Sequence, residues 1–310
     1  MWGSNQNTLK NKVNFSGIGL HSGKKVSIEL EPSHSNTGII FKRNDLKENN
    51  EIVANFKNVT SVKLCTKIEN EFGTSVSTVE HLMAAFYICG IDNLIVNING
   101  PEVPIMDGSA KEFVEKITEC GLKELNAKRK FIKIIKKTEI KLNDKSISIS
   151  PTSNTFKVSF TLRYDSNPLI QSQSNQIDFR NKNLENIYSA RTFCLYEDIE
   201  KVKSFGLGKG GSLENAVVVK ENKVLNVGGL RSENEFVNHK ILDLAGDFLL
   251  SGFRVLGKIN CFQGGHKLTN TFLRRLLETK SAYSITELKD NVVISKKIRS
   301  HQPLRVAANA

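Results

Sequence analysis

The order of periodic segments in this chain occurs twice, and that repeat limits the folds open to it. Residues 25–30 alternate apolar and polar with period two, and 38–42 and 62–65 also read as strands. A helix is expected over 78–89, stopped by Gly90. A strand at 93–98, a turn at Met106-Asp107-Gly108-Ser109 and a helix over 110–120 follow. The second half has strands at 133–135 and 156–162, a helix over 233–251 ended by Gly252, and a strand at 255–262. The turn Gln263-Gly264-Gly265-His266 then leads into a helix through 279. Strands grouped ahead of helices point to an α+β fold rather than alternating α/β. The repeat divides the chain into an α+β domain over 1–127 and a second over 128–300, with an insertion at 181–219. Residues 301–310 lack an apolar pattern and are expected to form a disordered tail.

That insertion contains Gly206, Gly208 and Gly211 at the spacing of a dinucleotide fingerprint. The fingerprint must open a helix, whereas residues 216–219 are a run of Ala and Val that reads as a strand, so the glycines are taken as a turn. With 39% hydrophobic and 25% charged residues the chain has the composition of a soluble globular protein. No run reaches the roughly 18 apolar residues of a membrane span, and the first residues have no signal-peptide core. The five cysteines are scattered without CxxC spacing, which favours free thiols and a cytoplasmic location. A net charge of +12 suits nucleic acid, an anionic membrane surface or an anionic substrate. The lysines are dispersed, and no helix-turn-helix, finger or aromatic-basic platform is present, so no nucleic-acid partner is expected. Nothing suggests an obligate interface, and a monomer is expected.

The polar residues of the later helix are its most informative feature. His239, Asp243 and Asp247 recur every four residues, so at about 100° per residue they drift only about 40° per step and form one stripe. Val237, Ile241, Leu244 and Phe248 cover the other side, and Ser232 and Glu235 have capping-box spacing at the start. The stripe either faces water or holds a metal ion between His239 and Asp243. Glu80 also stands three residues after a serine, Ser77, and reads as a cap or as a functional carboxylate beside His81. His266 lies in a glycine turn that lets a backbone or a substrate approach closely, and reads either as a functional histidine or as a simple loop residue. Two His and an Asp for a metal, a Glu beside one ligand and a further His are the parts of a zinc hydrolase. HExxH is absent, so His81 has to reach the other ligands across the interface of the two halves.

Several segments carry a family resemblance: residues 17–23, Ser77 to His81, Ile91-Asp92-Asn93, residues 104–109, Ala190-Arg191-Thr192-Phe193, Asn234 to Asp247 and Gly264-Gly265-His266. In this order they resemble the UDP-3-O-acyl-N-acetylglucosamine deacetylases, zinc amidases at the committed step of lipid A synthesis. The resemblance implies a β-α-α-β sandwich of two duplicated domains, with the helices between the sheets. It implies that His81, His239 and Asp243 bind Zn²⁺, with Fe²⁺ an alternative in the cell, and that Glu80 is the general base toward water. His266 would stabilise the oxyanion or protonate the leaving amine, Asp247 would orient it, and Thr192 would donate to the oxyanion. Lys240 and Phe193 would lie along the UDP-linked acylated amino sugar. Leu64 and the insertion's Ile199, Leu213 and Val218 would line an apolar passage for the 3-O-acyl chain. One departure stands out: Gln263 occupies a position where the family often has Lys or Arg facing the diphosphate, so either a neighbour such as Lys267 or Lys258 supplies that charge or nucleotide affinity is weaker. His21 belongs to the signature as a residue that supports the site, while His34 and His301 read as surface residues. A different zinc hydrolase and a catalytically dead relative are the competing readings, the second weakened by the intact set of candidate residues.

Overall fold

A computed structural model describes residues 3–165, 167–181 and 183–287. The expected tail at 301–310, and His301 with it, lies outside them.

Alternation in sequence becomes alternation in burial. Strand Lys25–Pro32 buries Val26, Ile28 and Leu30, and strand Phe156–Tyr164 buries Phe156, Val158, Phe160 and Leu162. In the first half, strands Val13–Ile18, Lys25–Pro32, Ile39–Arg43, Glu51–Val53 and Leu94–Ile98 pair in the spatial order first, second, fifth, third, fourth. The fifth is antiparallel to the second and parallel to the third. In the second half, strands Thr138–Leu142, Lys145–Ser150, Phe156–Tyr164, Gln171–Asp178 and Arg254–Phe262 pair in the same order and senses. Strand Lys130–Ile134 adds to the start of Arg254–Phe262 in parallel, and Tyr283–Glu287 pairs with it in turn.

Helices α1 (Glu80–Cys89) and α2 (Lys111–Cys120) flank the fifth strand of the first half. The insertion brings α3 (Glu185–Tyr188) and α4 (Ile199–Ser204), with a small sheet of Phe193–Leu195, Val217–Lys220 and Lys223–Val224. Helices α5 (Glu235–Leu249) and α6 (His266–Glu278) flank the fifth strand of the second half. Among the described residues no helix is long and apolar enough to cross a membrane.

The outer helices are amphipathic: α6 buries Leu268, Phe272, Leu273 and Leu276 on one face. Helices α1 and α5 are different. Eight of ten residues of α1 and fourteen of fifteen of α5 are buried, so their polar residues are inside the protein. The two helices pack on each other, and Gly246 is the point of closest approach: a Cβ there would run into the Glu80 carbonyl oxygen and the Ala84 nitrogen. The far end of α1 is fixed by Gly90 in the left-handed region and by two buried arginines. Arg129 donates to the Gly90 carbonyl, and Arg254 donates to the carbonyls of Phe86 and Ile91.

Three local expectations are corrected. Residues 62–65 are a bend, not a strand, because the Thr66 N–H is taken by the Glu80 carboxylate and Leu64 has φ +64°. Ser77 does not cap α1; its hydroxyl donates to the Pro101 carbonyl and Glu80 turns inward. Glu235 does not close a capping box either, since its carboxylate receives Arg191 and the Arg231 N–H.

Gly246→Val is expected to lower stability by about 1–3 kcal/mol through overpacking. It should also force α1 off α5, and a lowered Tm would register the loss.

Candidate metal centre and active site

The α1–α5 contact brings His81 of one half to His239 and Asp243 of the other. Asp243 Oδ1 stands 3.4 Å from His81 Nε2 and 3.3 Å from His239 Nε2. Donor atoms on a tetrahedral ion with bonds of about 2.0–2.1 Å have similar separations. All three residues are buried, and Asp243 Oδ1 has no hydrogen-bond partner among the described residues. His239 Nδ1 faces the Ala190 carbonyl at 3.0 Å, an oxygen that can only accept, so its proton sits there and the Nε2 lone pair is free to ligate. Burial pushes the His239 pKa down to about 3, against the pull of Asp243, which keeps the ring neutral. Burial alone would raise the Asp243 carboxyl. The facing His239 and Lys240, with His81 and His266, hold it well below the usual carboxylate range instead.

Two groups flank this cluster. Glu80, 3% exposed, accepts the Thr66 N–H on Oε2 at 3.0 Å and turns Oε1 toward His266 Nε2 at 3.6 Å. Its pKa is raised, by burial first and by Asp243 and Asp247, although His266 and His81 pull it back. His266, the first residue of α6, pairs through Nδ1 with Asp247 Oδ2 at 2.8 Å, and the Thr66 hydroxyl donates to Asp247 Oδ1 at 2.7 Å. Burial works against the His266 proton, but Asp247, Glu80 and Asp243 more than offset it and raise the pKa to about 10.

Thr192 is fixed through its backbone, its N–H donating to the Gly108 carbonyl and its carbonyl accepting from Val217. It opens, with Phe193, onto a cavity of about 440 Å³ that Leu64, Ile199, Leu213 and Val218 also line. The Phe193 ring packs edge-on against Phe236. Lys240 is partly buried, with Nζ 2.8 Å from Asp243 Oδ2 and 5.5 Å from the Phe193 ring centroid. The Gln263 amide is spent on the backbone of Arg163, accepting its N–H and donating to its carbonyl. The structure thus brings His81, His239 and Asp243 together, sets Glu80, His266, Asp247 and Lys240 beside them, and puts Thr192, Phe193, Leu64, Ile199, Leu213 and Val218 on the cavity wall, while Gln263 turns to the Arg163 backbone.

Other contributors were not foreseen. Thr66 braces both Glu80 and Asp247 from a bend with no distinguishing pattern. Glu235 is fully buried against Arg191, at 2.8 Å, and fixes the segment that supplies the Ala190 carbonyl and Thr192; its capping-box spacing hid this role.

A buried cluster of two imidazoles and a carboxylate, a carboxylate of raised pKa and a charged histidine, set beside an apolar cavity, has the groups of a metal-dependent amide hydrolase. The model of the family described as UDP-3-O-acyl N-acetylglycosamine deacetylase matches residues 6–278, and the chain belongs to that family. Among its relatives is the UDP-3-O-acyl-N-acetylglucosamine deacetylase of Geotalea uraniireducens, 45% identical over 91% of this chain and 92% of the relative. Proteins of the same description from Aliivibrio fischeri and Haemophilus ducreyi are each 41% identical, over 92% of this chain and 94% of their own.

If the three residues hold a metal ion, Asp243→Ala should lower divalent-metal affinity by at least about 10–100-fold, as equilibrium dialysis would show. Undiminished binding would remove Asp243 from the donor set.

Proposed function

We propose that the chain is a zinc-dependent deacetylase of the cytoplasm. It hydrolyses the N-acetyl group of UDP-3-O-(3-hydroxyacyl)-N-acetylglucosamine to UDP-3-O-acyl-glucosamine and acetate, the committed step of lipid A synthesis. The observation that carries this reading is the convergence of His81, His239 and Asp243 between Glu80 and His266, beside the cavity of Leu64, Ile199, Leu213 and Val218. Family membership and the names of the relatives support it. On this reading the halves are two duplicated domains, 1–127 and 128–300, stacked as a β-α-α-β sandwich. The recurring strand order and the packing of α1 on α5 support that arrangement.

His81, His239 and Asp243 would hold the ion, and their mixed nitrogen and oxygen donors suit Zn²⁺ and also accept Fe²⁺. The ion when bound would lower the pKa of water toward 7 and polarise the amide carbonyl. Glu80, its raised pKa matched to the task, takes the proton of the attacking water. His266 enters charged, faces the developing oxyanion with Nε2–H and then passes that proton to the leaving amine. Asp247 fixes the ring through Nδ1 and sustains its charge. The Thr192 hydroxyl donates a second hydrogen bond to the oxyanion. Lys240, kept charged by Asp243 against the effect of burial, and Phe193 take the nucleotide sugar, while the apolar cavity takes the acyl chain.

Acetate release from the acylated UDP-sugar, stopped by a chelator and restored by Zn²⁺, tests the whole reading; a folded, zinc-loaded chain that releases none would exclude it. Glu80→Gln should keep its zinc yet lose about 10²–10⁴ in kcat, and near-normal turnover would show that Glu80 is not the base. The rate should rise with pH as Glu80 deprotonates and fall as His266 deprotonates toward about 10. Asp247→Asn removes the largest influence raising the His266 pKa, so the alkaline limb of its pH–rate profile should move to lower pH.

A further inference from the structure

The mechanism above makes no use of His21, yet the fold positions it closely. His21 is 8% exposed and lines the apolar cavity. Buried Glu102 accepts the backbone N–H groups of His21 and Ser22, each at 2.8 Å, and the Thr78 hydroxyl at 3.0 Å, which ties the turn to the residues just before α1. From the other side the insertion closes on the same turn. The Lys209 N–H donates to the His21 carbonyl and the Gly210 N–H to the Leu20 carbonyl. Two glycines permit this approach: a Cβ on Gly19 would strike the Glu102 carboxylate, and one on Gly210 the Gly19 carbonyl.

The hydrogen bonds also fix the tautomer. His21 Nδ1 accepts a long bond, 3.4 Å, from the Gly208 N–H, a group that can only donate. Nδ1 therefore carries no proton, and the neutral ring bears it on Nε2. Burial favours that neutral form. Nε2 is buried and has no acceptor among the described residues. An unsatisfied buried donor is costly, and in the wall of a ligand cavity it marks where an acceptor of the ligand belongs.

We propose that His21 Nε2–H donates a hydrogen bond to an oxygen of the substrate's acyl group, and so sets which acyl groups the passage accepts. The inference rests on the deacetylase reading. An acyl group offers two such oxygens, the ester carbonyl at its head and a hydroxyl on the chain. Leu20, Leu64, Ile199, Val202 and Leu213 make most of the cavity wall apolar, and Thr192, Tyr196, Lys203 and Ser212 are the other side chains on it that can donate. A polar group so placed discriminates strongly against a ligand lacking its partner.

The test is kinetic, with 3-hydroxyacyl and matched unhydroxylated acyl substrates. His21→Phe removes the donor. His21→Asn keeps an acceptor toward Gly208 but has no donor at the Nε2 position, and His21→Gln restores one there. The Phe and Asn variants should lose about tenfold in kcat/KM, carried by KM, and Gln should recover much of it. Loss confined to the hydroxylated substrate assigns the bond to the chain hydroxyl, and equal loss on both assigns it to the ester carbonyl. If the Phe variant does not fold, the Asn and Gln pair decides alone. Undiminished kcat/KM in His21→Asn on both substrates, from a wild type active on them, overturns the inference and leaves the deacetylase reading standing. A wild type inert on both removes the two together.

Discussion

The seat of the Glu80 carbonyl on Gly246 is the contact on which the site depends. It lets two helices from different halves approach until His81 can share a centre with His239 and Asp243. A candidate metal site assembled this way needs no binding motif within one helix. Its geometry is set by the interface, and the interface is set by the absence of one side chain. Because α1 and α5 are buried almost all round, the same contact also desolvates Glu80, Asp243 and Asp247 together. Such a group of charges persists only where each has a partner, and here each does: Thr66 and His266 for Glu80, Lys240 for Asp243, His266 and Thr66 for Asp247.

Two histidines of this site show how position decides chemistry. His239 and His266 both lose hydration, yet one is driven down to about 3 and the other up to about 10. His239 meets a single carboxylate whose influence is opposed by His81 and Lys240. His266 meets three carboxylates: Asp247, Glu80 and Asp243. That contrast suits the roles proposed for them, a lone-pair donor for His239 and a proton carrier for His266.

Much of the architecture was legible because it is written in local periodicity. Alternation at Val26, Ile28 and Leu30, and the stop at Gly90, report their own environment. The stripe of His239, Asp243 and Asp247 was legible as a stripe, but spacing alone could not say whether it met water or protein. The burial of α5 answers that, and it is a property of neighbours distant in sequence. The same limit explains the misread serines. Ser77–Glu80 and Ser232–Glu235 have the spacing of a cap, but each glutamate finds a stronger partner in space, Thr66 and His266 for one and Arg191 for the other. Thr66 itself carries no signal, since its importance lies wholly in what surrounds it. Residues 62–65 failed as a strand for that reason too.

The division of the donors between the halves has a consequence during synthesis. Glu80 and His81 leave the ribosome long before His239, Asp243 and, last, His266, so no unfinished chain holds a complete centre. Until α5 is made, the part of α1 around the Glu80 carbonyl and Ala84 lacks the helix that packs on it in the finished chain. A first half without its partner helix would expose surface that is buried in the finished chain, the kind of surface on which partly made chains associate.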